Sequence, residues 1–214
     1  MRASREPYRE EYGSAICESI VAALESLVMS TVFTPPKARL TVAQFQKMGD
    51  AGIMPPETRL ELVDGELIEM APIGPRHMHA VNRLNRALVA AVGEAAIVSV
   101  QNPVALGEHS ETQPDLALLG PQSDSEARLP TPDDVLLLVE VADTTLQYDR
   151  TTKLALYARF GVREVWIVNL IDHILEIHRE PYNGAYRVKL ERAGNDTVAP
   201  VALPNAEVRL AEIW

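Results

Sequence analysis

The chain holds a single cysteine, Cys17, among 214 residues. That count excludes an intramolecular disulfide and a cysteine zinc cluster, and a reducing cytoplasm is the expected location. Aromatic residues are only 5% of the chain, which leaves little for a platform that stacks bases or sugars. Positive charge is also scarce, with 20 Lys and Arg against 30 Asp and Glu, for a formal net charge of −10. Tight, sequence-blind binding of nucleic acid depends on neutralising phosphates, so it is not the main business of this surface. A metal-using nuclease survives the test, because acidic ligands belong to such a site and bound cations invert the local field. No run approaches the roughly 18 apolar residues of a membrane span, so no membrane partner is expected. Nor is there a phosphate-binding glycine loop, so no nucleotide cofactor is expected.

Apolar residues make up 47% of the chain and charged ones 23%, the balance of an ordinary globular domain. At the N-terminus Arg2, Arg5 and Arg9 are offset by Glu6, Glu10 and Glu11, and Glu18 and Glu25 interrupt the apolar stretch behind. That is no secretory signal. Ile16, Ile20, Leu24 and Leu27 recur at helical spacing and predict an amphipathic helix over residues 12–29. Thr34-Pro35-Pro36 reads as the beginning of a domain. Residues 1–36 are therefore expected to be an extension, residues 37–214 one domain, and Met29 an alternative start.

Thr41 is an N-cap candidate for a helix over 42–50. Asp64-Gly65 between two alternating runs, 59–63 and 66–70, is a strong hairpin signal. In that register Val63 faces Glu66 and Glu61 faces Ile68, all on one side of the ribbon. Gly74-Pro75 opens a helix striped by His77, Val81, Leu84 and Leu88 and closed by Gly93. A strand over 97–106 is interrupted at Pro103; residues 107–112 read as a polar loop, 114–119 as a strand and 120–134 as an exposed loop. Residues 135–141 are nearly all apolar, as in a central strand covered on both faces. A helix over 149–160 ends at Gly161, with strands over 165–170 and from 174, and strand and turn from Tyr182. The order predicts an α/β fold with a mixed central sheet flanked by helices and an N-terminal β-hairpin.

Glu140 lies inside Val135-Leu136-Leu137-Leu138-Val139-Glu140-Val141, where a bare carboxylate would cost several kcal/mol to desolvate. Such a group acquires a cation, a cluster of donors or a raised pKa; an Arg or a helix N-terminus at the strand's end would serve equally. Asp115 follows Pro114 at the mouth of an apolar strand, where an ordinary polar cap also fits. Asp149, Lys153 and Tyr157 share one helical face at i, i+4 and i+8, with Asp149 expected as the N-cap. The plain alternative makes Lys153 a rim lysine paired with Asp149. Yet two carboxylates on neighbouring strands plus a lysine are the parts of a magnesium-dependent phosphodiesterase. Four further histidines, His79, His109, His173 and His178, lack zinc-site spacing. Ser99, Ser110 and Cys17 lack the surroundings of a nucleophile.

From about Arg39 onward the chain resembles the Uma-two family of restriction-endonuclease-like proteins, within the PD-(D/E)xK nuclease superfamily. The residues that carry this are 61–70 (ELVDGELIEM), Arg76-His77, Pro114-Asp115, Val139-Glu140-Val141, Tyr148-Asp149-Arg150, 153–157 (KLALY), Gly161-Val162 and 164–168 (EVWIV). The resemblance implies a restriction-endonuclease-like core with Asp115 and Glu140 as ligands of Mg or Mn, and Asp115, Glu140 and Lys153 as catalytic residues. It also implies a nucleic-acid substrate, DNA before RNA, and a homodimer where two strands are cut. One departure stands out: the superfamily's lysine lies two residues after the second acid, and here that position is Ala142. Lys153, from the next helix, takes its place. Glu66, His77, Gln101 and Tyr157 are accessory candidates. A non-catalytic interaction module on the same fold is the alternative function, favoured by the acidic balance. A glycosidase using Asp115 and Glu140 ranks last, since it leaves Lys153 without a task.

Overall fold

Strand β1 (Leu60–Val63) pairs antiparallel with β2 (Glu66–Glu69), Glu61 opposite Ile68 and Val63 opposite Glu66, in the register the alternation predicts. Asp64 (φ 52°) and Gly65 (φ 80°) are both left-handed, as a two-residue hairpin turn of matching twist requires. A Cβ on Gly65 would also lie 2.6 Å from the Cβ of Arg39, so only glycine fits. These features belong to a computed structural model that describes residues 36–55, 57–124 and 126–214. The helix expected over 12–29 and the start at Met29 lie outside the described residues.

Residues Arg39–Trp214 form one compact unit. The hairpin continues into a small sheet of order β2-β1-β5-β4, with β4 at Val104–Ala105 and β5 at Glu111–Thr112. The main sheet has the order β10-β9-β8-β7-β6-β3. Its strands are β3 (Ile97–Val100), β6 (Leu116–Leu119), β7 (Val135–Ala142), β8 (Glu164–Asn169), β9 (Ile174–Tyr182) and β10 (Ala185–Ala193). Only β7 and β8 run parallel, so a crossover must join them. That crossover is helical: α3 (Leu146–Tyr148), a π-helical turn Asp149–Lys153, and α4 (Leu154–Arg159). Strands β11 (Thr197–Val198) and β12 (Val208–Arg209) form a separate pair in the tail.

Helix α1 (Val42–Asp50) starts at Thr41 with a capping box to Gln44, satisfying two amides that a helix start leaves open. Helix α2 (Pro75–Val92) buries Ala80, Val81, Leu84, Leu88 and Val92 against one face of the main sheet, where Leu137, Val139 and Val141 of β7 also point. Leu138 and Ala142 point to the other face, under α4 with Leu156 and Tyr157. Glu140 has their phase, because strand side chains alternate. The fold is thus the mixed α/β architecture expected, a central sheet covered on both sides.

Three local expectations change. Residues 97–106 are two strands in two sheets, because Gln101 turns left-handed (φ 51°) ahead of Pro103. The polar loop 107–112 contains β5, and its Ser110, Glu111 and Thr112 are buried. Polarity misleads there because the donors and acceptors are met inside: Gln46 Nε2 donates to Glu111 (3.0 Å) and the Asp64 amide to the Ser110 hydroxyl (3.0 Å). The loop 120–134 is only partly exposed, since Asp134 is buried and Arg128 donates to both its carboxylate oxygens.

Candidate active site

Glu140 is 3% exposed and Lys153 2%. Lys153 Nζ donates to Glu61 Oε1 (3.0 Å) and to both oxygens of Glu140 (3.2 and 3.3 Å). Tyr157 donates its hydroxyl to Glu140 Oε1 at 2.5 Å. Three elements meet here: β7 supplies Glu140, the hairpin strand β1 supplies Glu61, and the π turn with α4 supplies Lys153 and Tyr157. Asp115 sits just before β6, whose Leu116 pairs with Val139. Its Oδ2 accepts from the Val141 amide (2.8 Å) and is 2.9 Å from His77 Nε2, and its Oδ1 accepts from Gln101 Nε2 (3.2 Å). His77, Asp115, Glu140 and Lys153, with Asp149, line a cavity of about 130 Å³, and Glu61, Gln101 and Tyr157 hold them from behind.

The charges in this cavity set their own proton affinities. Burial pushes Glu140 up to about 8; Lys153 opposes the rise, while Asp149, Asp115 and Glu61 add to it. Burial would raise Asp115 as well, yet the hydrogen bond and charge of His77, the Val141 amide and Gln101 outweigh it and hold Asp115 below the ordinary value. Lys153 goes the opposite way from a lone buried lysine. Burial works against its charge, but Glu140, Glu61 and Asp149 raise its pKa above normal, so it stays an ammonium. Asp149 is raised by burial.

The structure therefore brings together Asp115, Glu140, Lys153, His77, Gln101 and Tyr157. Gln101 reaches Asp115 and not the lysine. Glu66 is exposed on β2, and the hairpin carboxylate that accepts from Lys153 is that of Glu61. A signal for Glu61 existed in the sequence: the hairpin register puts it on the same side as Val63, which is buried, so a charge stood in core phase. Asp149 is not the N-cap, because the helical run begins earlier, at Leu146; its carboxylate accepts from the Thr145 hydroxyl (2.7 Å). Nor does Lys153 pair with Asp149 on a rim, since two buried carboxylates capture it first.

Among the described residues no three His, Cys, Asp or Glu side chains converge closely enough to cage a metal ion. Two carboxylates on the cavity wall nevertheless suit a magnesium-type cation, which keeps several waters and uses few protein ligands. Glu61 Oε2 is buried without a hydrogen-bond partner. Carboxylate oxygen is the donor type a hard divalent cation takes, and Asp115 and Glu140 both line the cavity.

The fold and this cluster define a class: a nuclease-like α/β protein with acids at the end of a mixed sheet. In overall fold the chain is similar to a protein from Anabaena variabilis ATCC 29413, described as "a putative nuclease belonging to DUF820". The TM-score is 0.63 at 14% identity, covering 81% of this chain and 97% of that one. The profile of the Uma2 family, described as "Putative restriction endonuclease", matches residues 42–211. The chain belongs to that family. Among curated proteins none matches its sequence.

Proposed function

We propose that the protein is a metal-dependent endonuclease that hydrolyses phosphodiester bonds in nucleic acid, with Asp115, Glu140 and Lys153 as its catalytic residues. The observation that carries this is the Lys153 ammonium, buried and shared between Glu61 and Glu140 in a cavity that also presents Asp115. A lysine is placed there at considerable desolvation cost, and phosphodiester hydrolysis gives it a use.

Asp115 and Glu140 would hold Mg or Mn, which supplies Lewis-acid polarisation of the phosphate and lowers the pKa of water. The other roles belong to the chain itself. His77 and Gln101 fix the Asp115 carboxylate, and Tyr157 fixes that of Glu140. Glu61 anchors Lys153 from the opposite side, so the ammonium faces the reacting phosphate as a preorganised positive charge. A dimer would serve cleavage of both strands of a duplex.

The test is cleavage of a panel of DNA and RNA substrates in Mg or Mn by the wild type, Asp115→Asn and Glu140→Gln. Cutting by the wild type that both variants lose supports the assignment; equal cutting by either variant rejects that residue's role. The net charge of −10 favours a second reading, an interaction module retaining the nuclease fold. Absence of cleavage with every metal and substrate would put that module first.

A further inference from the structure

A cavity walled by Asp115, Glu140, Asp143 and Asp149 repels the polyanion that the proposed reaction needs, so some cation must offset that repulsion. Three basic side chains line the cavity: Arg59, His77 and Lys153. His77 is committed to Asp115 and Lys153 to Glu61 and Glu140. Just outside, Arg76 is committed to Asp143 (3.3 Å) and to the Leu170 carbonyl (2.6 Å). Arg59 alone among the described cavity-lining cations has no side-chain hydrogen bond or ion pair. The strand geometry is a second, independent pointer. The Met70 amide donates to the Arg59 carbonyl (2.9 Å), extending the β1–β2 ladder by one residue. Alternation along that strand then puts Arg59 on the same side as Glu61, the side that meets Lys153.

We propose that Arg59 is the phosphate-binding residue of the cleft, taking a backbone phosphate of the nucleic acid next to the scissile one. This rests on the nuclease reading above and adds to it the group that captures substrate. A guanidinium suits the task because its planar fork matches two phosphate oxygens and keeps its charge at any working pH. It is only half-buried, so it can meet a strand that never enters the cavity. Contact to phosphate carries no base information, so Arg59 sets affinity and register without choosing the sequence.

The experiment is binding and cleavage of labelled DNA and RNA oligonucleotides by the wild type, Arg59→Ala and Arg59→Lys. Arg187→Ala, an exposed arginine of β10 stacked on Tyr182, serves as control. Arg59→Ala should weaken binding about tenfold on every sequence, lower the slope of log K against log salt by about one, and raise KM more than it lowers kcat. Arg59→Lys should recover part of the affinity, and Arg187→Ala should change none of these. If the wild type cleaves while Arg59→Ala keeps its affinity and salt slope, the Arg59 assignment fails and the nuclease reading stands. The assignment also fails if Arg59→Ala loses kcat at unchanged affinity. Should the wild type neither bind nor cleave any substrate, both readings fall together.

Discussion

Glu140 and Glu176 are the same residue type, both shielded from solvent though Glu140 is the more deeply enclosed, and stand in one row across the sheet. Glu140 pairs with Ile167 of β8, and Ile167 pairs with Glu176 of β9. The π turn serves both, because Lys153 reaches Glu140 while Arg150 donates to Glu176. Their proton affinities diverge all the same. Burial tends to raise Glu176, but Arg150 and Lys189 outweigh it and lower its pKa, whereas Glu140 is pushed up to about 8. The difference lies in depth and in the neighbours. Glu176 has cations nearly to itself, while Glu140 shares one ammonium with Glu61 and stands near Asp115 and Asp149. Burial makes a carboxylate expensive, and the surrounding charges decide whether that expense is settled by ion pairing or left open for a ligand.

The largest effect expected from this comparison concerns Lys153. Lys153→Met keeps the stem's packing but removes the ammonium, and nuclease turnover should fall by about 100-fold or more, read by single-turnover cleavage. Arg150→Met, acting on the structural partner of the row, should change turnover far less. Equal losses would erase the distinction between the two glutamates.

Stability should separate them in opposite directions. In chelator at neutral pH, Glu176→Gln leaves Arg150 and Lys189 without their counter-charge. Those side chains are 36% and 46% exposed, so solvent screening limits the loss to about 1–3 kcal/mol. Glu140→Gln should instead stabilise by about the same amount, since it removes a carboxyl whose folded pKa lies well above the unfolded one. Thermal unfolding of both variants checks the pair of signs. Magnesium or manganese should raise the wild-type melting temperature by binding the folded state, and Glu140→Gln should abolish that rise.

The pH windows are equally distinct. Between about pH 5 and 8 folded Glu140 holds a proton that the unfolded chain has released, so metal-free stability should fall as pH rises, by at most about 1.4 kcal/mol per unit. Glu140→Gln should flatten that slope. Glu176 acts in the acid range: its lowered pKa gives stability present above its ordinary value of 4.5 and lost as pH falls below it. Denaturant melts from pH 4 to 9 would show both limbs. The smallest effect belongs to Arg159–Asp64, an ion pair at 2.5 Å whose side chains are 48% and 40% exposed. Arg159→Ala should cost less than about 1 kcal/mol.

The sequence was most legible where one short-range rule governs. The Asp-Gly hairpin, the Thr41 cap, the α2 stripe and the buried β7 run all form from local pattern, and a charge inside an apolar strand marked Glu140. What stayed hidden depends on contacts between distant segments. Glu61 becomes a partner of Lys153 only because the hairpin's small sheet packs on the crossover helix. The burial of residues 110–112 likewise depends on β1 arriving beside β5. The helix start at Leu146 was obscured by Asp149, a good capping residue that here takes a place inside the run. Proton affinities were the least legible of all, because they are set by the sum of neighbouring charges.

The Lys153–Glu61 bond joins residues 92 positions apart in the chain. Contacts so distant close late, after loop entropy has been overcome. During synthesis Glu61 emerges long before Lys153, and β8, which seats β7 on its parallel side, follows both. No fragment ending before the π turn contains the ammonium, and none beginning after the hairpin contains its anchor. The buried Lys153 cluster consequently comes into being only in a chain that holds both the hairpin and the π turn.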